Sequence, residues 1–189
     1  MRRVIKVGGS LLLRPDLVPL VTHWIESQPT GENLIIVGGG ELIDAIRHLD
    51  AIEPADASET HWRCVRLLDH TFEHLIARAP TWNVVSEGPL EPDKVFSQDT
   101  PTLIRVGVFY SPDAQAPMPH DWRTTTDAIA AFLAHRLGAD EAVLLKACEI
   151  PASASIPELI QQRIVDEAIT MAGYPMSQIR FEQLSPNPT

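Results

Sequence analysis

The chain has 189 residues, 44% of them hydrophobic and 21% charged, which suits one soluble globular domain with a sizeable core. Its formal net charge of -10 lacks the basic face that displaces counterions from a phosphate backbone, so nucleic acid is excluded as a general partner. No apolar stretch reaches membrane-spanning length, and none follows the two N-terminal arginines, so the expectation is a cytoplasmic protein with no membrane partner.

A short apolar run from Val4 to Val7, interrupted by Lys6, reads as a buried strand. It ends in Gly8, Gly9 and Ser10, where a helical pattern begins. Glycines there let an anion approach exposed amides near a helix N-terminus, and Lys6 places a positive charge beside it. Lysine is scarce: only Lys6, Lys94 and Lys146 occur among 15 basic side chains, which favours a point-charge role for the one inside this strand. Leu17, Leu20, Val21, Trp24 and Ile25 then predict a helix ending near Ser27, after an irregular start at Pro15 and Pro19.

The same device recurs. Asn33 to Val37 is a second strand, Gly38-Gly39-Gly40 its turn, and Leu42, Ile43, Ile46 and Leu49 carry helical spacing. Each turn alone is also compatible with a tight strand-to-helix connection and no ligand. Two of them, on neighbouring parallel strands, open on the sheet edge where α/β proteins bind ligands, and together they favour phosphate.

Asp56 or Ser58 can cap a long helix whose apolar face is Trp62, Val65, Leu68, Phe72, Leu75 and Ile76, ending before Pro80. His70 and His74 stand one turn apart on it. That spacing can serve a metal, but the His-Glu-x-x-His order is missing and no third ligand is evident, so no metal is assigned. His61 reads as a solvated or partner-facing histidine. A third strand is expected at Trp82 to Val85 and a fourth at Leu103 to Phe109, inside a proline-dense stretch from Ser86 to His120 that either carries substrate contacts or covers a sheet edge.

Thr124 and Asp127 have capping-box spacing at the start of a helix whose stripe is Ile129, Phe132, Leu133 and Leu137, with Gly138 as its stop. Asp127 can therefore answer a threonine cap, orient Lys6, or do both. Glu141 to Lys146 is another buried strand. A helix is expected from Pro157 to Ala172 and a last strand at Gln178 to Phe181, with residues 1–184 forming a single domain and 185–189 a frayed tail. Cys64 and Cys148 form neither a C-x-x-C pair nor a disulfide framework.

These residues resemble the amino acid kinase family, which includes acetylglutamate kinase, aspartokinase and bacterial uridylate kinase. Val4-Ile-Lys-Val-Gly-Gly-Ser-Leu11 is similar to that family's opening, Ile35-Ile-Val-Gly-Gly-Gly40 to its second glycine turn, and Thr126-Asp127 with Ala139 to Lys146 to its third block. Pro119-His-Asp-Trp122 and the short length look most like the small archaeal-type branch that includes the (aminomethyl)furanyl-methyl phosphate kinase of methanofuran biosynthesis.

The resemblance implies a three-layer αβα sandwich with a mainly parallel sheet, and a homo-oligomeric kinase using ATP and Mg2+ on a small anionic or phosphorylated metabolite. Lys6 and Asp127 would be catalytic. Gly8, Gly9, Ser10, Gly38, Gly39, Gly40 and Thr126 would bind phosphate or substrate, and Lys146 the nucleotide. The family's Asp-x-Asp-Gly-type segment and its later lysine are missing after Lys146, so the nucleotide half is abbreviated. The alternative is a non-catalytic member of the same fold that binds an anion or assembles with a partner.

Overall fold

The computed structural model describes residues 1–151 and 153–185. Its centre is a six-stranded sheet of order β3-β4-β2-β1-β5-β6, parallel throughout. The strands are β1 (Arg2–Val7), β2 (Glu32–Val37), β3 (Asn83–Val85), β4 (Thr102–Ile104), β5 (Glu141–Lys146) and β6 (Ile179–Gln183). The three central strands, β2, β1 and β5, are buried from their second residue to their last. Such strands read as near-continuous apolar runs because helices cover both faces.

The helices are α1 (Leu17–Ser27), α2 (Glu41–Ile52), α3 (Ala57–Arg78), α4 (Pro92–Val95), α5 (Thr126–Leu137) and α6 (Ile156–Gln161). Pro19 falls in the first turn of α1, where its missing N–H is not needed. Asp56 caps α3 by accepting from the Glu59 N–H at 2.9 Å. Gly138 closes α5 in the left-handed conformation, φ 58°, which glycine adopts without a Cβ penalty.

Strand alternation divides the core. Ile5, Val7, Ile35, Val37, Val143 and Leu145 face Leu11, Leu17, Val21 and the C-terminal half of α3. Val4, Leu34, Ile36, Ala142 and Leu144 face α5 and the N-terminal half of α3. Lys6 and Lys146 follow the same even-numbered alternation, so period-two geometry carries both onto the α5 side.

Three expectations from the sequence need correction. The strand anticipated over Leu103–Phe109 leaves the sheet after Ile104, and a 3-10 turn occupies Val106–Val108. The Arg105 N–H donates the final bond to Val85 O, and Val106, Phe109 and Tyr110 then enter the core beneath α3 and α5, a spacing that serves a turn as well as a strand. The helix anticipated over Pro157–Ala172 breaks after Gln161 at Arg163, φ 58°, and resumes as a 3-10 turn at Glu167–Met171. His61 is not solvated: it heads the α3 stripe that continues through Val65, Leu68 and Phe72, and only 6% of its surface is exposed. Residues 186–189 of the anticipated tail lie outside the described residues.

Candidate active site

The chain leaves β1 towards β2 and leaves β5 towards β6, so these adjacent strands part in opposite directions. A crevice outside the strand C-termini at such a switch point is where open α/β sheets hold ligands. Here it is a cavity of about 720 Å³, a size that accommodates a nucleotide or cofactor.

Asp127, in the first turn of α5, reaches both strands. Its Oδ1 lies 2.9 Å from Lys6 Nζ, and its Oδ2 accepts a hydrogen bond from Lys146 Nζ. All three side chains are almost fully buried. Lys6 is paired in register with Leu144, so Lys146 stands one same-face step beyond it, and one carboxylate bridges the two ammoniums. Burial pushes the Lys6 ammonium below the usual lysine value, against the pull of Asp127. Burial also works to raise the Asp127 carboxyl, but the charges of Lys6 and Lys146 outweigh it and hold the group below the usual carboxylate range.

The anticipated capping box is absent, because Thr124 Oγ1 donates to Pro119 O and Asp127 is turned to the lysines. Asp166 replaces it. Its Oδ2 accepts from Thr125 N at 2.8 Å, Thr125 Oγ1 at 2.7 Å and Ala128 N at 3.1 Å, so the end of α5 is capped from a segment about forty residues downstream. Among the described residues, Asp166 Oδ1 is closed off from solvent and has no hydrogen-bond partner. Burial, and then the charge of Asp127, push the Asp166 carboxyl up to about 7 against the bonds from Thr125 and Ala128.

The two glycine turns touch. A Cβ on Gly9 would stand 2.0 Å from Gly40 N, and one on Gly38 would stand 2.8 Å from Gly9 N. No side chain fits between them, so an anion would meet the cavity side of the two turns. Gly8 lies behind the cavity wall, its N–H donating to Leu145 O at 2.9 Å, while the Gly38 N–H donates to Val7 O at 2.9 Å. The amides of Gly9, Ser10, Gly39 and Gly40 have no backbone acceptor among the described residues. Lys6, Gly9, Ser10, Gly38, Gly39, Gly40, Thr126, Asp127 and Lys146 all line the cavity. Of the site residues expected from the sequence, only Gly8 stands outside it.

Beyond the α2 turn, the Arg47 guanidinium lies 4.8 Å from the centre of the Trp122 ring, and Trp122 Nε1 donates to Asp50 Oδ2 at 2.7 Å. Both Arg47 and Trp122 line the cavity. Sequence reasoning missed Arg47 and Asp166. Arg47 was hidden on the polar side of an amphipathic helix, and nothing local ties Asp166 to α5. His61 donates to or accepts from Tyr110 OH at 2.9 Å and stacks on His120. No cluster of three or more His, Cys, Asp or Glu side chains suited to a metal occurs among the described residues. No helix among them is long and apolar enough to cross a membrane.

No protein-family model matches the chain, and no curated protein sequence does. Solved structures do. The aspartate kinase from Synechocystis superposes with a TM-score of 0.61 at 12% identity, covering 99% of this chain but 38% of that one. The UMP kinase from Bacillus anthracis gives 0.63 at 13%, covering 99% and 88%. The uridylate kinase from Archaeoglobus fulgidus gives 0.59 at 16%, covering 100% and 92%. At these identities the likeness is one of fold, and the fold is that of the amino acid kinases.

Proposed function

We propose that the protein is an ATP-dependent kinase that transfers a phosphoryl group to a small anionic or phosphorylated metabolite. The observation that carries this reading is the single buried carboxylate of Asp127 holding two ammoniums, Lys6 and Lys146, where both glycine turns open on one cavity. Phosphoryl transfer asks a protein mainly to position reactants and neutralise charge, and ammoniums fixed by a buried carboxylate do both.

In this reading Lys6 contacts the transferring phosphoryl group and Lys146 the donor side. The free amides of Gly9, Ser10, Gly39 and Gly40 hold phosphate oxygens, and Thr126 adds a hydroxyl. Asp127 is a positioning residue that fixes the lysines. The donor set for magnesium is narrow, since both Asp127 oxygens face lysines and Asp166 Oδ2 caps α5, leaving Asp166 Oδ1. One carboxylate oxygen fits an ion held mostly by phosphates and water. Asp166 would hold it, and magnesium would supply neutralising charge to the phosphates. Arg47 and Trp122 give the opposite wall a cation and an aromatic face, which supports a phosphorylated ring compound such as a furan-methyl phosphate as acceptor.

Calorimetry with ATP-Mg2+, followed by a transfer assay over phosphorylated and carboxylated acceptors that include an aminomethylfuran methyl phosphate, tests the reading. Saturable ATP binding and transfer to one acceptor are expected. Lys6→Ala should lower kcat by about a hundredfold or more while acceptor binding holds. If ATP does not bind and no acceptor turns over, the short segment after Lys146, which lacks glycine, makes the non-catalytic anion-binding member the better account.

A further inference from the structure

The break between α6 and the following 3-10 turn has the hydrogen bonding of a Schellman motif. Arg163 N donates to Ile160 O and Ile164 N donates to Leu159 O, both at 2.9 Å, and the residue in the left-handed position is Arg163. It is the one non-glycine residue with positive φ among those described, while Gly40, Gly88, Gly138 and Gly173 fill the others. Glycine is the usual occupant of that position because a Cβ there crowds the backbone. A side chain kept at a strained position, where a simpler residue would close the same turn, directs attention to what the side chain does.

Arg163 lines the cavity together with its near neighbours Ile160 and Ile164, and Lys146 lines it too. It is exposed, and neither an ion pair nor a side-chain hydrogen bond engages it among the described residues. The other cations of the cavity are engaged: Lys6 and Lys146 by Asp127, Arg47 by Asp44, and Arg123 by Asp121. Arg163 therefore brings the cavity a positive charge with no counter-ion among the described residues. A guanidinium also offers a planar set of donors suited to bidentate phosphate contact.

We propose that Arg163 is a binding residue for the polyphosphate of the donor nucleotide, retained at a backbone position that would fold better with glycine. The inference rests on the kinase reading for the identity of the donor, but not for the anion itself. It gives stability and affinity opposite signs in one variant. Arg163→Gly should raise the melting temperature by about 2–4 °C and weaken ATP-Mg2+ and inorganic tripolyphosphate binding by about tenfold or more. Arg163→Ala should weaken both ligands equally without the gain in melting temperature, and Arg163→Lys should recover part of the affinity.

Calorimetry with ATP-Mg2+ and with tripolyphosphate, on the wild type and these three variants, separates the possibilities. Tripolyphosphate binding that is lost in Arg163→Gly supports the inference even if ATP does not bind, in which case the kinase reading alone fails. Undiminished binding of both ligands by Arg163→Gly and Arg163→Ala overturns it. So does a wild type that binds neither.

Discussion

At the residue scale, Asp127 decides the character of the site. A lone ammonium in the interior would lose its proton or find a partner, and here two share one carboxylate. Asp127→Asn leaves both lysines buried without a counter-charge, so it should destabilise the fold by about 3–5 kcal/mol, the range for breaking a buried pair from one side. Chemical denaturation of the variant against wild type measures this. A loss below about 1 kcal/mol would show that the lysines are neutralised elsewhere. The expected cost is larger than capping alone would give, since a lost cap is worth typically about 1 kcal/mol, and the structure assigns that task to Asp166.

At the element scale, two contacts hold the cavity walls. Asp166 fastens the chain after α6 to the N-terminus of α5. Asp166→Ala removes the acceptor of three hydrogen bonds and should cost about 1–2 kcal/mol, with faster amide exchange at Thr125 and Ala128 as the local signature. Asp166→Asn should restore part of it. On the other wall, His61 ties α3 to the loop that carries Tyr110 and His120. Burial, and then the neighbouring His120, depress the His61 imidazole to about 4. The unfolded chain therefore takes up this proton more readily than the folded one, so the contribution of His61 is fully present above about pH 6.5 and is lost as pH falls towards 4. Melting temperatures measured across that window should fall less steeply for His61→Gln than for wild type.

Elements built from contiguous apolar runs were legible in the sequence. β1, β2 and β5 each combine an apolar run with a glycine or lysine at its end, and the α3 stripe from Val65 to Leu75 declares its own face. Features set by distant partners were not. The seven residues from Leu103 alternate like a strand, yet whether they stay in the sheet depends on Val85 and on the space under α3. The α6 pattern runs on past Gln161 because the break is made at an arginine and not at a glycine. The lysines, Asp127 and the amides of the site were readable because each lies at or next to the end of a strand or the start of a helix. Asp166 was not, because its partner lies in a helix about forty residues earlier.

At the scale of the whole molecule, the strand order places β1, which is made before the other five strands, near the middle of the finished sheet. β1 is bordered by β2 on one side and by β5 on the other, and more than a hundred residues separate β1 from β5. During synthesis the nascent chain completes β2, β3 and β4 while one edge of β1 still waits for its neighbour. An unpaired apolar strand is an invitation to join another chain, and an inward-pointing charge is one of the devices that discourages it. Lys6 sits on that strand and has no buried counter-charge until Asp127 arrives, so the ammonium proposed to act on phosphate is expected to discourage such pairing of the growing sheet as well. Chains stalled at residue 105 should stay soluble with Lys6 and aggregate faster with Lys6→Leu, as light scattering of the two released fragments would show. Equal aggregation would assign the protection to another part of the strand.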